Sequence, residues 1–154
     1  MQEKFFSGLL SLIFCAVTFL FFTLYIVKEP ILFNCDKGKY SFYLKKSSSN
    51  CEIVRVLASD APICKSNLFC VKGESLHFDA ENYNEEGLAY CESKIREYGA
   101  HLVFCESGAW GENLYYYTAK IKNYVIISGK RVNIHLAKGE NSVAIGSPLI
   151  FGSY

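Results

Sequence analysis

The sequence predicts an α+β protein. An N-terminal transmembrane helix precedes a mainly antiparallel β-sheet domain of six to eight strands, with one principal covering helix at 84–98. Three observations carry this. Residues 5–27 contain no charged side chain. From residue 40 onward, short segments rich in Tyr and β-branched residues alternate with Gly-, Ser- and Asn-containing breaks, the composition of strands and turns. One stretch alone, 84–98, keeps its apolar residues on a helical period. The 154 residues divide into a short tail (1–4), a signal-anchor helix (5–27), a juxtamembrane linker (28–39) and an α+β domain (40–154) of single-core size.

The anchor comes first. At 1.5 Å per residue its helix reaches about 34 Å, enough for a hydrocarbon core of about 30 Å. Ser7, Ser11, Thr18 and Thr23 can return their hydroxyls to the helix's own carbonyls. A cleaved signal peptide has an apolar region of about 7–15 residues and a small-x-small site. This run is longer and ends Leu24-Tyr25-Ile26-Val27, so it stays as an anchor whose partner is the lipid bilayer. Tyr25 and Lys28 suit the interface, and Pro30 marks the helix end. Cys15 would suit lipoprotein processing only behind a small residue, and Phe14 precedes it. Lys28, Lys37 and Lys39 favour a cytoplasmic domain, whereas the short tail ahead of the helix is the signal-anchor layout. The expectation is an extracytoplasmic domain in the cell membrane.

Along the domain, "YSFYL" (40–44) reads as a strand, "SSSN" (47–50) as a turn and "CEIVRVL" (51–57) as a half-buried strand. "ASDAPICKSN" (58–67) reads as loop or a short helical turn, because Pro62 forbids a long helix through its middle. "LFCVKGESLHFD" (68–79) reads as two strands around a Lys72-Gly73 turn. The helix follows. Asn84 suits its cap, Glu85 and Glu86 suit its positive end, and Leu88, Cys91, Ile95 and Tyr98 share one face. Gly99 suits the left-handed C-terminal position. "AHLVFCE" (100–106), "LYYYTAKI" (114–121), two strands meeting at Ser128-Gly129-Lys130, and "VAIGSPLIFGSY" complete the sheet. In "VNIHLA" alternation points Val132, Ile134 and Leu136 one way and Asn133 and His135 the other.

Charge and chemistry narrow the function. Without Glu3 and Lys4, the counts of 16 basic and 15 acidic residues become 15 and 14, a balance that offers nucleic acid no basic face. Of seven cysteines, six lie beyond the anchor: Cys35, Cys51, Cys64, Cys70, Cys91 and Cys105. An even number in an exported domain suits disulfides, with the pairing undetermined; the competing reading is free thiols. No Asn-x-Ser/Thr sequon occurs, which turns the reading toward a bacterial surface protein. His101 and Cys105 share a face of a regular strand but stand about 13 Å apart, too far to hold one ion together. No cofactor or metal motif and no nucleophile elbow occurs, so no catalytic residue is assigned. The candidate binding surface is Tyr115, Tyr116 and Tyr117 with Lys120 and Lys122 nearby, joined by Trp110 on its turn and by Asn133 and His135. Alternation sets Tyr116 opposite Tyr115 and Tyr117. Such a surface suits another envelope protein or a glycan better than a small substrate.

"LYYYTAKIKNYVIISGKRVNIHLA" and "VAIGSPLIFGSY", above all positions 128–137 and 146–150, resemble uncharacterised membrane-anchored proteins of Gram-positive spore-forming bacteria. More distantly they are similar to the YwmB-like family. The resemblance implies a curved antiparallel sheet with helix cover of the TATA-binding-protein type, used outside the cytoplasm and linked to sporulation. It supplies no functional residue. The expected function is a single-pass, extracytoplasmic binding or assembly module; the alternative is an envelope enzyme, thiol-dependent or hydrolytic.

Overall fold

The computed structural model describes residues 8, 10–20, 30–47, 50–109 and 111–151. The chain forms two units, Met1–Pro30 and Ile31–Tyr154. In the first, residues 10–20 form a helix (α1) whose apolar side chains, Leu10 to Leu20, are largely exposed. Thr18 donates its hydroxyl to the Phe14 carbonyl at 2.6 Å, which satisfies the hydroxyl locally. Among the described residues no helix is long and apolar enough to cross a membrane. The rest of the expected 5–27 span lies mostly outside the described residues.

The second unit is α+β. Its strands are β1 (Lys39–Ser47), β2 (Asn50–Leu57), β3 (Val71–Asp79), β4 (His101–Gly108), β5 (Gly111–Tyr117), β6 (Val125–Ile127), β7 (Lys130–Val132), β8 (Ile134–Lys138) and β9 (Ser142–Ser147). A short 3-10 turn (Ala58–Asp60) leads into helix α2 (Ala61–Asn67), and α3 spans Ala80–Glu97. Seven strands form one sheet in the order β2-β1-β3-β9-β8-β5-β4, and β6–β7 forms a separate ribbon. Every pair is antiparallel.

Register sorts the side chains into two faces. Tyr40, Phe42, Leu76, Phe78, Val143, Ile145, Ile134, Leu136 and Leu114 are buried in the main core. This is the face that α3 covers: Cys91 and Ile95 are buried there, with Leu88 and Tyr98 half-buried against it. Those four positions are the period seen in the sequence. Gly99 ends the helix at φ +61°, and the Ala100 N–H returns to the Ile95 carbonyl at 3.0 Å, a left-handed C-cap. Gly87 is required by packing, since a Cβ there would meet the Phe78 ring at 2.6 Å.

Residues 31–35, expected as linker, are part of the core. Phe33 is fully buried. The Tyr98 hydroxyl donates to the Leu32 carbonyl at 2.9 Å and that of Tyr90 to the Asn34 carbonyl at 2.7 Å. The Leu32 N–H donates to Glu74 Oε1, while Lys65 Nζ pairs with Glu74 Oε2 at 2.7 Å. One buried carboxylate thus ties this strap and α2 to β3. Removing either partner of such a pair is costly, because the other charge stays buried.

Three local expectations change, at Lys72-Gly73, at the start of α3 and at Asn133, while the short helix at 61–67 agrees with the reading of 58–67. Lys72-Gly73 is no turn: β3 runs through it, and the register shift opposite Tyr43 and Leu44 makes it a bulge. Gly73 is needed because a Cβ would meet the Ser147 carbonyl oxygen at 2.7 Å. Pro62 sits in the first turn of α2, where its missing N–H has no intrahelical partner to lose. Helix α3 begins at Ala80, with Asp79 at the cap position, so Asn84 lies inside it. The strand expected across 132–137 is interrupted at Asn133, which leaves Val132 in the ribbon and Ile134 in the sheet. Ser128 (φ +49°) and Gly129 (φ +76°) form the β6–β7 turn, as expected for a hairpin with two left-handed residues.

Candidate functional site

The face turned away from α3 carries one cross-strand row. Through the pairings Ser41↔Ser75, Ser75↔Gly146, Gly146↔His135, His135↔Tyr115 and Tyr115↔Phe104, it crosses six strands. At the β4 end the row is aromatic. Phe104 stacks on Tyr115 with centroids 4.4 Å apart, and Tyr115 stacks on His135 at 4.6 Å. Phe104 and Tyr115 are half-buried, and the Tyr115 hydroxyl donates to Glu106 Oε2 at 3.0 Å. Tyr117 lies on the same face with His101 edge-on at 5.8 Å.

Toward the middle the row is small and covered. Residues 148–151 fold back over it, so that a Cβ on Gly146 would meet Ile150 Cγ1 at 2.7 Å. Ile150 is buried with Ala137 and Ala144 in a second, smaller cluster. Two hydrogen bonds hold this segment: Ile150 N–H to His135 Nδ1 at 3.2 Å, and Phe151 N–H to the Tyr43 hydroxyl at 3.1 Å. The Phe151 ring meets Tyr43 edge-on at 5.0 Å.

These contacts fix the His135 tautomer. A backbone N–H can only donate, so Nδ1 is unprotonated and the proton sits on Nε2, which donates to Asn113 Oδ1 at 2.9 Å. The ring is nearly sealed, and burial pushes its pKa down to about 4. His77 is likewise held at about 4, first by burial and then by the Arg55 charge. Its Nε2 is 2.6 Å from Ser75 Oγ, which is 2.5 Å from the Tyr43 hydroxyl. A serine beside an imidazole resembles a nucleophile and its base. Ser75 is fully buried, and its contacts with His77 and the Tyr43 hydroxyl pack this face.

The expected surface residues separate accordingly. Tyr115 and Tyr117 share the face away from the helix, and Tyr116 packs against the main core, where burial, and then the Glu92 and Glu112 charges, raise its pKa. His135 shares the row but is closed beneath 148–151. Asn133 belongs to no open face. It is fully buried; its Oδ1 accepts from the Thr118 N–H at 2.9 Å, and its NH₂ donates to the Thr118 and Ile121 carbonyls at 2.7 and 2.8 Å. Trp110 lies outside the described residues. Phe104 was missed because a bulge between Leu102 and Phe104 turns the strand over, defeating alternation. The same bulge pairs His101 with Tyr117 and Cys105 with Leu114, so those two residues do not share a face as a regular strand would give.

Cys35, Cys64, Cys70, Cys91 and Cys105 of the domain are free thiols, as is Cys15; the Cys51 side chain lies outside the described residues. Burial, then the nearby Cys35, pushes the Cys91 thiol up to about 12, which suits a structural role. Burial, then Asp60, also raises Cys64. Among the described residues no three His, Cys, Asp or Glu side chains are grouped to hold a metal ion. Compared with protein-family models, curated proteins and solved structures, the chain matches none.

Proposed function

We propose that the chain is a single-pass, membrane-anchored binding or assembly module that docks another envelope protein on the β4–β5 side of its sheet, outside the cytoplasm. The observation that carries this reading is the half-exposed Phe104–Tyr115 stack, flanked by His101 on β4 and Tyr117 on β5, the last two strands of the sheet order. Stacked rings on neighbouring strands expose edges. Tyr115 has one face against Phe104 and the other against His135, so a sugar, which stacks on a bare ring face, is offered only the outer side of Phe104. A protein surface packs against ring edges and pairs with an edge strand. The uncharged run 5–27 supports the anchor, and the resemblance at 128–137 and 146–150 supports an envelope setting in a spore-forming bacterium.

Two experiments test this. A C-terminal alkaline phosphatase fusion is expected to be active and a fluorescent-protein fusion dark; the reverse places the domain in the cytoplasm. A photocrosslinker at Tyr117 is expected to give one discrete protein adduct in cells, lost in a Phe104→Ala variant that keeps its thermal midpoint. Equal adducts from a crosslinker at Arg55, on the opposite edge strand, would remove the case for this surface.

A further inference from the structure

We propose that the docking surface continues onto the β6–β7 ribbon, where Arg131 receives a carboxylate of an acidic protein partner and Ile126 an apolar side chain beside it. This rests on the docking reading above and names the chemistry of its partner. Cross-strand partners in an antiparallel pair share a face. The ribbon pairs Val125 with Val132, Ile126 with Arg131 and Ile127 with Lys130. Val132 is fully buried, and Val125 and Ile127 are half-buried, so the first and third pairs mark the inner face. The middle pair faces out. Ile126 is 66% exposed, and Arg131 is exposed beside it. Tyr124, two residues before Ile126, completes the outer face, with the Arg131 guanidinium 4.8 Å from its ring centroid.

Charge says what covers this face. From Asn113 to Gly139 the sequence carries Lys120, Lys122, Lys130, Arg131 and Lys138 and no acidic residue, in a chain whose net charge is only +1. Lys138 pairs with Glu112, and Lys120 donates to the Glu97 carbonyl. Among the described residues no carboxylate lies within ion-pair reach of Lys122, Lys130 or Arg131. A guanidinium over a ring is held by the ring's quadrupole. Its N–H donors stay available for a carboxylate, which an arginine takes in a two-pronged pair. The Tyr117 side chain, then Tyr124, also raise the Arg131 pKa, so the group keeps its charge. Tyr117 flanks the Phe104–Tyr115 stack, and β7 packs beside β5 and β4, so the ribbon's outer face is continuous with the docking surface. A polyanion would be met by lysines alone. An exposed isoleucine opposite an arginine, with a tyrosine under it, has the mix of a protein interface, where Tyr and Arg carry most of the binding.

The test uses the full chain in cells, with a photocrosslinker at Asn123, exposed beside Tyr124, and in parallel at Tyr117. The expected result is the same discrete protein adduct from both positions. Arg131→Gln should lower the yield at 123 about tenfold, the scale of one lost charge-assisted hydrogen bond. Lys72→Gln, the same charge change at an exposed position on β3, should leave it unaltered. Ile126→Asp and Ile126→Lys both remove the apolar side chain, and an acidic partner should tolerate the lysine better than the aspartate. An adduct at 117 that is absent at 123, a yield unmoved by Arg131→Gln, or equal losses from the two Ile126 variants would overturn the inference and leave the docking reading standing. An adduct to lipid or to a heterogeneous wall polymer at 123 would overturn it too. No adduct at either position would remove the docking reading and this inference with it.

Discussion

Acid should destabilise the domain well before its carboxylates titrate, through one buried imidazole, His135, and one half-buried one, His77. His135 and His77 have ordinary values of 6.5 and are held at about 4 in the fold. Both are neutral at pH 7 in the folded and the unfolded chain, so stability is flat above about pH 6.5. Below that the unfolded chain binds protons that the fold refuses, and stability falls until about pH 4. The gap corresponds to about 3 kcal/mol per ring, at 1.36 kcal/mol per pH unit. At pH 5 each ring has lost about 2 kcal/mol, about 4 together, against a typical total of about 5–15 kcal/mol. The structure gives the reason at His135: a proton on Nδ1 would face the Ile150 N–H that now donates to it. Urea unfolding of residues 31–154, which hold the whole core, at pH 7 and pH 5 measures this. With a slope of about 2 kcal/mol/M, the midpoint should fall by about 2 M. Carboxylates contribute little above pH 5. His135→Gln should remove about half of the dependence, and His135→Gln with His77→Gln nearly all. An unchanged midpoint between pH 7 and 5, or a double variant as acid-sensitive as the parent, would refute the reasoning.

Asn133→Ala strips three buried hydrogen bonds and leaves the Thr118 N–H and two carbonyls without that partner. At about 1–3 kcal/mol per orphaned group, the loss should reach about 3–5 kcal/mol in urea, and a loss under about 1 kcal/mol would contradict it. Asn133→Asp should fare no better, because a second oxygen would face those carbonyls. Tyr116→Ala, on the core side, should cost about 3 kcal/mol on the scale of large core truncations, and Tyr117→Ala about 1 kcal/mol. Equal losses would mean that the two rings do not lie on opposite faces.

What was legible in the sequence was what depends on near neighbours. The helix face Leu88, Cys91, Ile95 and Tyr98, the Gly99 cap and the Ser128-Gly129 turn are set within a few residues, and each stands where its pattern put it. The alternation of Tyr115, Tyr116 and Tyr117 held because β5 pairs with β8 without a shift from Glu112 to Tyr116, and Tyr117 continues the strand opposite His101. The failures have a shared cause. A glycine beside a lysine has the same local signature whether the backbone turns or bulges, and at Gly73 the deciding contact is the Ser147 carbonyl, 74 residues away. At Val103 a bulge reverses the faces with no glycine or proline to announce it.

Exposure of a polar position is a still more distant property. His135 alternates with Ile134 and Leu136 as an outward residue would, and it does point away from the helix. Whether outward means open is decided by residues 148–151, which return over Gly146 and close the ring. Asn133 shows the converse: its side-chain amide bonds to 118 and 121 while its backbone N–H still donates to the Tyr116 carbonyl at 3.0 Å, so a residue that alternates outward is fully buried. The same row is thus packing at Ser75 and surface at Phe104, with stacked rings joining the two. A ligand reaching the Phe104 end would press on Tyr115, then on His135, and so on the acceptor that holds Ile150. The stack runs from Phe104 to the ring that holds Ile150, so Tyr115→Ala is expected to lower hydrogen-exchange protection of the Ile150 amide, and unchanged protection would show that the stack does not support the closure of 148–151.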